Sequence, residues 1–189
     1  MRVAGADEAG RGALFGRVYA AAVILDAERP IKGLADSKTL TAARREELAL
    51  VIRNKALAWA VAWAEADEID RINIYQASRL AIGRAVMELK PGPDYLLIDA
   101  LKVDVDLPQE SIIKGDAKVA SIAAASILAK VGRDEWVAAA ELEYPGYGLA
   151  RHKGYATPEH QEALMRLGPT RLHRRSYAPV REAMQGRLG

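Results

Sequence analysis

Three short apolar stretches of this chain each run into an aspartate, and that arrangement limits the fold more than any other feature. Arg2-Val3-Ala4-Gly5-Ala6 leads to Asp7, Tyr95-Leu96-Leu97-Ile98 to Asp99, and Ile112-Ile113-Lys114-Gly115 to Asp116. Runs this short, bounded by turn residues, read as strands: Arg2–Asp7, Tyr95–Asp99 and Ser111–Lys114. Val18–Leu25 is apolar and β-branched enough to be a strand buried on both faces. Leu57–Ala64 is a further strand, with Leu57, Trp59, Val61 and Trp63 on one face and alanines between them. Helical patterns fill the gaps. Thr41 can cap a helix through about Asn54, with Leu48, Val51 and Ile52 on its buried stripe. Asp67–Leu89 reads as a helix broken near Ile72-Asn73 and ended by Pro91-Gly92-Pro93. Alanine-rich Asp116–Leu142 reads as another, and Thr157-Pro158 opens a last one that Gly168 closes. The alternation predicts an α/β fold, a mixed sheet flanked by helices. With 189 residues, one domain spanning 1–189 is expected.

Open α/β sheets bind ligands outside the carboxyl ends of their strands. Asp7, Asp99 and Asp116 are therefore placed to converge. Glu8 adjoins Asp7, and neighbours on an ideal strand face opposite ways. Glu8 is expected to join the group only if the chain leaves the strand there, which Gly10 and Gly12 would ease. Gathered carboxylates repel one another, so either some hold protons or a divalent cation neutralises them. The chain has no cysteine, which removes thiolate metal sites, thiol catalysis and disulfides. Hard oxygen ligands favour Mg²⁺ or Mn²⁺. Two such ions about 4 Å apart would activate a water and stabilise the leaving oxygen of a phosphodiester. Taken singly, Asp99 or Asp116 reads more simply as a cap or turn residue. Asp7-Glu8 within a glycine-rich turn reads as functional.

Charge is close to balanced overall, at +2, but unevenly spread. Residues 151–189 hold eight basic and three acidic residues, and all three histidines. An acidic body with a basic end suits a polyanion docking beside carboxylates; a solvated surface with chance clustering is the plainer reading. The apolar runs Val18–Leu25 and Ala56–Ala64 fall well short of the roughly 20 residues that span a bilayer. Asp7-Glu8 comes before any apolar run, unlike a secretory signal. A soluble cytoplasmic protein without a membrane segment is expected.

Gly5-Ala6-Asp7-Glu8-Ala9-Gly10-Arg11-Gly12 closely resembles the N-terminal signature of the ribonuclease HII family. The likeness continues in order through Asp36-Ser37-Lys38-Thr39-Leu40, Asn73-Ile74, Ile98-Asp99 and Lys114-Gly115-Asp116. It extends over Ala124–Lys130 with Arg133-Asp134, then His152-Lys153-Gly154-Tyr155-Ala156-Thr157, and ends with His173-Arg174, Ser176-Tyr177 and Pro179-Val180. The resemblance implies a ribonuclease H-like fold: a mixed five-stranded sheet flanked by helices, with residues 151–189 a basic, helical C-terminal extension packed on it. It implies endonucleolytic cleavage of RNA in RNA–DNA hybrids. It also implies incision 5′ to a single ribonucleotide embedded in duplex DNA, leaving 3′-hydroxyl and 5′-phosphate ends. It places four metal-binding carboxylates at Asp7, Glu8, Asp99 and Asp116, and a monomer suffices for that chemistry. It assigns Gly10-Arg11-Gly12, with Tyr155, to the RNA–DNA junction, Tyr155 stacking on the sugar of the following deoxynucleotide.

The residues themselves suit those roles. Reading a ribonucleotide means sensing one 2′-hydroxyl, which donates and accepts. Glycine lets backbone approach a sugar-phosphate, and successive N–H groups can form an anion-binding concavity. Tyr155 alone would read as a core aromatic. Ser37, Lys38 and Asn73 are candidate phosphate contacts, or equally a turn residue, a solvated lysine and a helix cap. Lys118, Ser121 and Ser126 fit either the substrate backbone or an ordinary helix surface. Asp134 fits a supporting acid or a salt bridge with Arg133 or a neighbour. His152, His160 and His173 read as loop, helix-surface and packing residues, and Trp59, Trp63 and Trp136 as core. Arg171–Arg175 is a plausible electrostatic handle on the duplex. One departure stands out: Gly16-Arg17-Val18 replaces the family's usual Gly-Pro-Val, which is expected to leave that turn freer and to add charge near the substrate. Two rivals remain open: another metal-dependent phosphodiesterase on the same fold, and a non-catalytic nucleic-acid binder.

Overall fold

The structure is a computed structural model and describes residues 1–186; Arg187, counted above in the basic end, lies outside them. The strands are β1 (Val3–Ala9), β2 (Val18–Ile24), β3 (Ala58–Ala64), β4 (Tyr95–Asp99) and β5 (Gln109–Ile112). They form one sheet in the order β3-β2-β1-β4-β5. β1, β2 and β3 are antiparallel, whereas β4 and β5 run parallel to β1. This is the mixed five-stranded sheet that the sequence implied.

The helices are α1 (Ala42–Lys55), α2 (Ala66–Glu88), α3 (Ala120–Glu143), α4 (Leu149–His152), α5 (Pro158–Leu167) and α6 (Ala178–Gln185). Thr41 caps α1 by accepting from the Arg44 amide, and Thr157 caps α5 by accepting from the His160 amide. The buried stripe of α1 is Leu48, Ala49 and Ile52, with Val51 only half-buried. The break in α2 falls at Asn73, whose backbone is left-handed at φ 66°. Its side-chain carbonyl accepts from the Gln76 amide at 3.1 Å and restarts the helix. Asp116 does not begin a helix. Left-handed Lys114 reverses the chain, Gly115–Ala117 forms a short 3₁₀ turn, and α3 starts only at Ala120.

Hydrophobic layers lie on both faces of the sheet. α2 packs Ala77, Ala81 and Ala85 against Ala58, Ala60, Ala62 and Ala64 of β3 and against β2. α1 and α3 cover the other face around Ala21 and Val23. The alternation in β3 thus runs opposite to expectation: its alanines are buried, while Trp59 and Trp63 are 40% and 38% exposed. A helix lying this close to a sheet needs small side chains between them, so the tryptophans turn to the outer face. There Trp63 packs on Tyr19 with centroids 5.5 Å apart, and Trp59 donates to the Arg53 carbonyl. Trp136 is half-buried and packs on Phe15.

A third cluster joins the C-terminal residues to the body. Leu164, Val180 and Ala183 pack with Leu14, Phe15 and Val137. Arg17 is held in this region more firmly than its sequence suggested. Its guanidinium lies 4.5 Å from the Trp63 ring and 4.7 Å from the Trp136 ring, and pairs with Glu65 at 2.9 Å. An ion pair between two aromatic faces replaces the rigidity that proline would give. That pairing also consumes its charge, against the expectation of a free cation for substrate.

α3 crosses β1 with no space to spare. A Cβ on Gly5 would stand 2.2 Å from the backbone carbon of Ser121. Gly5→Ala must push α3 off the sheet, at a cost of about 3 kcal/mol or more. Thermal unfolding should show a fall of many degrees; a melting point within a degree of wild type would refute this packing account.

Candidate active site

The topology brings the acids together. β1 and β4 are adjacent and parallel, with Ala6 beside Ile98, so Asp7 and Asp99 follow at neighbouring strand ends. β5 lies parallel beyond β4, and the turn after it delivers Asp116. One oxygen from each of Asp7, Asp99 and Asp116 lies within 4.8 Å of the others. Asp7 and Asp116 are buried and Asp99 half-buried. Asp99 also accepts from the Gly115 amide at 2.7 Å, which locks the Asp116 turn against β4.

Glu8 reaches the same cavity by a different route from the one expected. β1 stays paired with β2 through Ala9, but its pairing with β4 ends at Ala6. With one neighbour lost, the strand end is free to twist and the Glu8 side chain enters beside Asp7. Its Oε1 accepts from Arg11 at 3.3 Å, and its Oε2 is buried without a partner. Glu8 lies outside the tight group of three aspartates.

The electrostatics carry the strain of this convergence. Burial pushes the Asp7 carboxyl well above the usual carboxylate range, and the charges of Glu8 and Asp99 push it further. Burial also raises Glu8, against the opposing pull of Arg11. Asp116 is raised by burial and then by Asp36 and Asp99, with Lys38 at 4.0 Å opposing.

The cavity is about 240 Å³ and is lined by Asp7, Glu8, Gly10, Arg11, Gly12, Ser37, Lys38, Asp99, Ser126, Lys130 and Tyr155. A larger groove of about 750 Å³, between α2 and residues 104–106, holds no acid cluster, so size does not locate the chemistry. At Gly12 a Cβ would meet no heavy atom within 4 Å, leaving open space over the turn. Gly10 sits at φ 92°, with room for no side chain: a Cβ there would lie 2.0 Å from Arg133 Nε. Ser37 is buried and accepts from Ser126 Oγ at 2.7 Å, while Lys38 is exposed at the rim. Asn73 caps the second half of α2 and is not among the lining residues. Lys118 points its ammonium at the Ile113 carbonyl, and Ser121 packs against Gly5.

Several of these groups had no role in the sequence reading. Lys130 lines the cavity, pairs with Asp134 at 2.8 Å and lies 5.5 Å from the Tyr155 ring. Asp134 therefore pairs chiefly with Lys130; Arg133 is 4.0 Å away. The clue was present in the sequence: Ser126, Lys130 and Asp134 recur every fourth residue in an alanine-rich helix, a polar stripe on one face. Arg133 is fully buried between Gly10 and Tyr155, 5.1 Å from the tyrosine ring.

The basic end also behaves differently from expectation. Arg174 is fully buried and is no handle on a duplex. It donates to the carbonyls of Arg11, Gly16 and Arg17 at 2.8, 2.8 and 2.9 Å, bracing the glycine turn from below. Tyr177 donates to the same Arg11 carbonyl. Arg175 remains exposed, and Arg171 is exposed but pairs with Glu143. His160 is wholly buried, not on a helix surface.

Acids gathered at the carboxyl ends of parallel strands, beside an open glycine turn, define a hydrolase of the ribonuclease H-like class. The family model described as Ribonuclease HII matches residues 4–180. The chain belongs to the ribonuclease HII family and is a ribonuclease H, a metal-dependent hydrolytic nuclease that acts on RNA–DNA hybrids. It is 58% identical over 179 residues to the ribonuclease HII of Solibacter usitatus, covering 95% of this chain and 78% of that one. It is 56% identical over 186 residues to that of Laribacter hongkongensis, covering 97% and 94%. The solved ribonuclease H2 from Pyrococcus horikoshii OT3 superposes with a TM-score of 0.83 at 25% identity, covering all of both chains. The ribonuclease HII in a PCNA complex from Archaeoglobus fulgidus gives 0.80 at 26% identity, covering 94% and 96%. Among the described residues no helix is long and apolar enough to cross a membrane.

The raised Asp7 carboxyl makes a signed prediction. In the metal-free protein the folded state holds this proton more tightly than the unfolded chain does. Its stabilising effect is complete below the ordinary carboxylate range and is lost as pH rises through the raised value. Metal-free Asp7→Asn should therefore melt higher than wild type at neutral pH, and the gap should close toward pH 3. A wild-type protein that melts above the variant at neutral pH would reject the repulsive cluster.

Proposed function

We propose that the chain cuts on the 5′ side of a lone ribonucleotide embedded in duplex DNA, as well as within RNA–DNA hybrids, and that Asp7, Glu8, Asp99 and Asp116 hold its metal. The observation that carries this reading is a single cavity lined by Asp7, Glu8 and Asp99 together with the Gly10-Arg11-Gly12 turn and Tyr155, with an oxygen of Asp116 within 4.8 Å of the other two aspartates. The donors fit Mg²⁺ or Mn²⁺: all are hard oxygens, three within 4.8 Å, with the buried Glu8 Oε2 unpartnered beside them. Bound there, such an ion supplies the charge that activates a water and stabilises a leaving alkoxide.

The protein's own groups do the selecting. Backbone of Gly10-Arg11-Gly12 faces the 2′-hydroxyl, and the open approach at Gly12 admits the sugar. Tyr155 stacks on the sugar of the next deoxynucleotide, where a 2′-hydroxyl would crowd the ring. Lys38, exposed at the rim, contacts phosphate with Ser37 behind it. Asn73 is a more distant candidate for the same backbone. Water attacks the phosphorus on the 5′ side of the ribonucleotide, and the P–O3′ bond breaks. The preceding deoxynucleotide leaves as a 3′-hydroxyl and takes up a proton, and the ribonucleotide keeps a 5′-phosphate.

Mapping the products from a duplex with one ribonucleotide should show a single Mg²⁺-dependent cut at its 5′ side, abolished by EDTA. Cutting at the 3′ side, or equally in all-DNA duplex, would defeat the proposal. Asp116→Asn should keep the fold and lose nearly all cleavage, and the Mg²⁺-induced rise in melting temperature should shrink. Normal turnover by that variant in Mg²⁺ would remove Asp116 from the metal site.

A further inference from the structure

We infer that His173 and His160 form a directed hydrogen-bond chain that positions Tyr155, so that the C-terminal segment sets the preference for RNA–DNA junctions. The inference rests on the junction role of Tyr155 proposed above and extends it to two residues that touch no substrate.

The direction of the chain follows from the donors. The Thr170 amide donates to His173 Nδ1 at 2.9 Å, so that nitrogen carries no proton. A neutral ring then carries its proton on Nε2. His173 Nε2 lies 3.1 Å from His160 Nε2 and must donate to it. His160 is left with its proton on Nδ1, 2.9 Å from the Tyr155 carbonyl, to which it donates. Each tautomer fixes the next.

The end of the chain is the backbone of the junction residue. The Tyr155 carbonyl also accepts from the Thr157 amide at 2.8 Å, and its own amide donates to the His152 carbonyl at 3.0 Å. The peptide groups on both sides of Tyr155 are tied, which aims the ring into the cavity beside Lys130. His152 stacks on His160 with centroids 4.5 Å apart and 15° between planes. It accepts from the Gly154 amide through Nδ1 and faces the Tyr147 carbonyl through Nε2. Burial holds His160 below the ordinary imidazole range, and His173 down to about 3, so both rings stay neutral at working pH.

The effect on substrate choice is specific. In a continuous hybrid the second nucleotide after the cut, the one whose sugar Tyr155 would stack on, carries a 2′-hydroxyl, so the Tyr155 stack contributes mainly at a junction. Loosening Tyr155 should therefore weaken cleavage at a lone ribonucleotide more than cleavage of a hybrid, whereas a folding defect would scale both alike.

The test measures kcat/KM in Mg²⁺ on two probes: a DNA duplex with one ribonucleotide, and a matched continuous RNA–DNA hybrid. His160→Phe and His173→Phe keep the ring volume and remove the chain. Each should lower the lone-ribonucleotide to hybrid ratio by roughly five-fold, the scale of one lost hydrogen bond. The double variant should fall no further, because both changes break the same chain. If Tyr155→Ala lowers the ratio and the histidine variants do not, this inference fails while the junction reading stands. If Tyr155→Ala leaves the ratio unchanged, both fail. Should the phenylalanine variants not fold, ¹⁵N NMR of the unaltered protein decides. Nδ1–H on His160 and Nε2–H on His173 support the chain, and the opposite tautomer on either ring overturns it.

Discussion

Mutual repulsion among buried carboxylates is the constraint around which this molecule is organised. Asp7 and Asp116 are nearly out of water, and Asp99 stands against both. In a medium less polarisable than water that repulsion is not screened away. The sheet imposes it, because parallel β1 and β4 end together and Gly115 clips the third acid's turn to the second. The cluster costs folding free energy as long as it stands alone. Under the proposed metal site, a bound divalent cation would relieve that cost.

The opposite sign of charge is buried on the other side of the glycine turn. Arg133 and Arg174 are fully buried, and the acceptors of both are mainly backbone carbonyls. Burial depresses both, Arg174 to about 10. The Arg174 fork braces the turn from Arg11 to Arg17 with geometry that a lysine could not reproduce, and Arg133 adds one bond, to the Phe15 carbonyl at 3.3 Å. The turn therefore lies between the gathered acids and fixed cations that shape backbone. The C-terminal residues, which looked from composition like a surface for polyanions, contribute Arg174 and His173 to this internal scaffold.

Much of this could be read from the chain. Strand-end acids, the capped helices at Thr41 and Thr157, and the break at Asn73 were legible because each depends on a few adjacent residues. Local chemistry also marked the glycine turn. The inward face of β3 was not legible, since alternation gives two faces but not which one a helix will cover. Nor was the burial of Arg174 and His160, because a charged or polar residue in a helical or loop pattern ordinarily faces solvent. Arg17 misled for the same reason: its partners Glu65, Trp63 and Trp136 are distant in sequence.

The sequence alone determined the order and kind of the elements, the donor chemistry of the acids and the exclusion of cysteine chemistry. These follow from short-range patterns and from the side chains themselves. Only the tertiary structure decided that the three aspartates converge, that Glu8 lines the same cavity as Asp7 and Asp99 without leaving its strand, and that the histidines line up behind Tyr155. Those facts depend on register, helix approach and burial, which arise when remote segments compete for the same space.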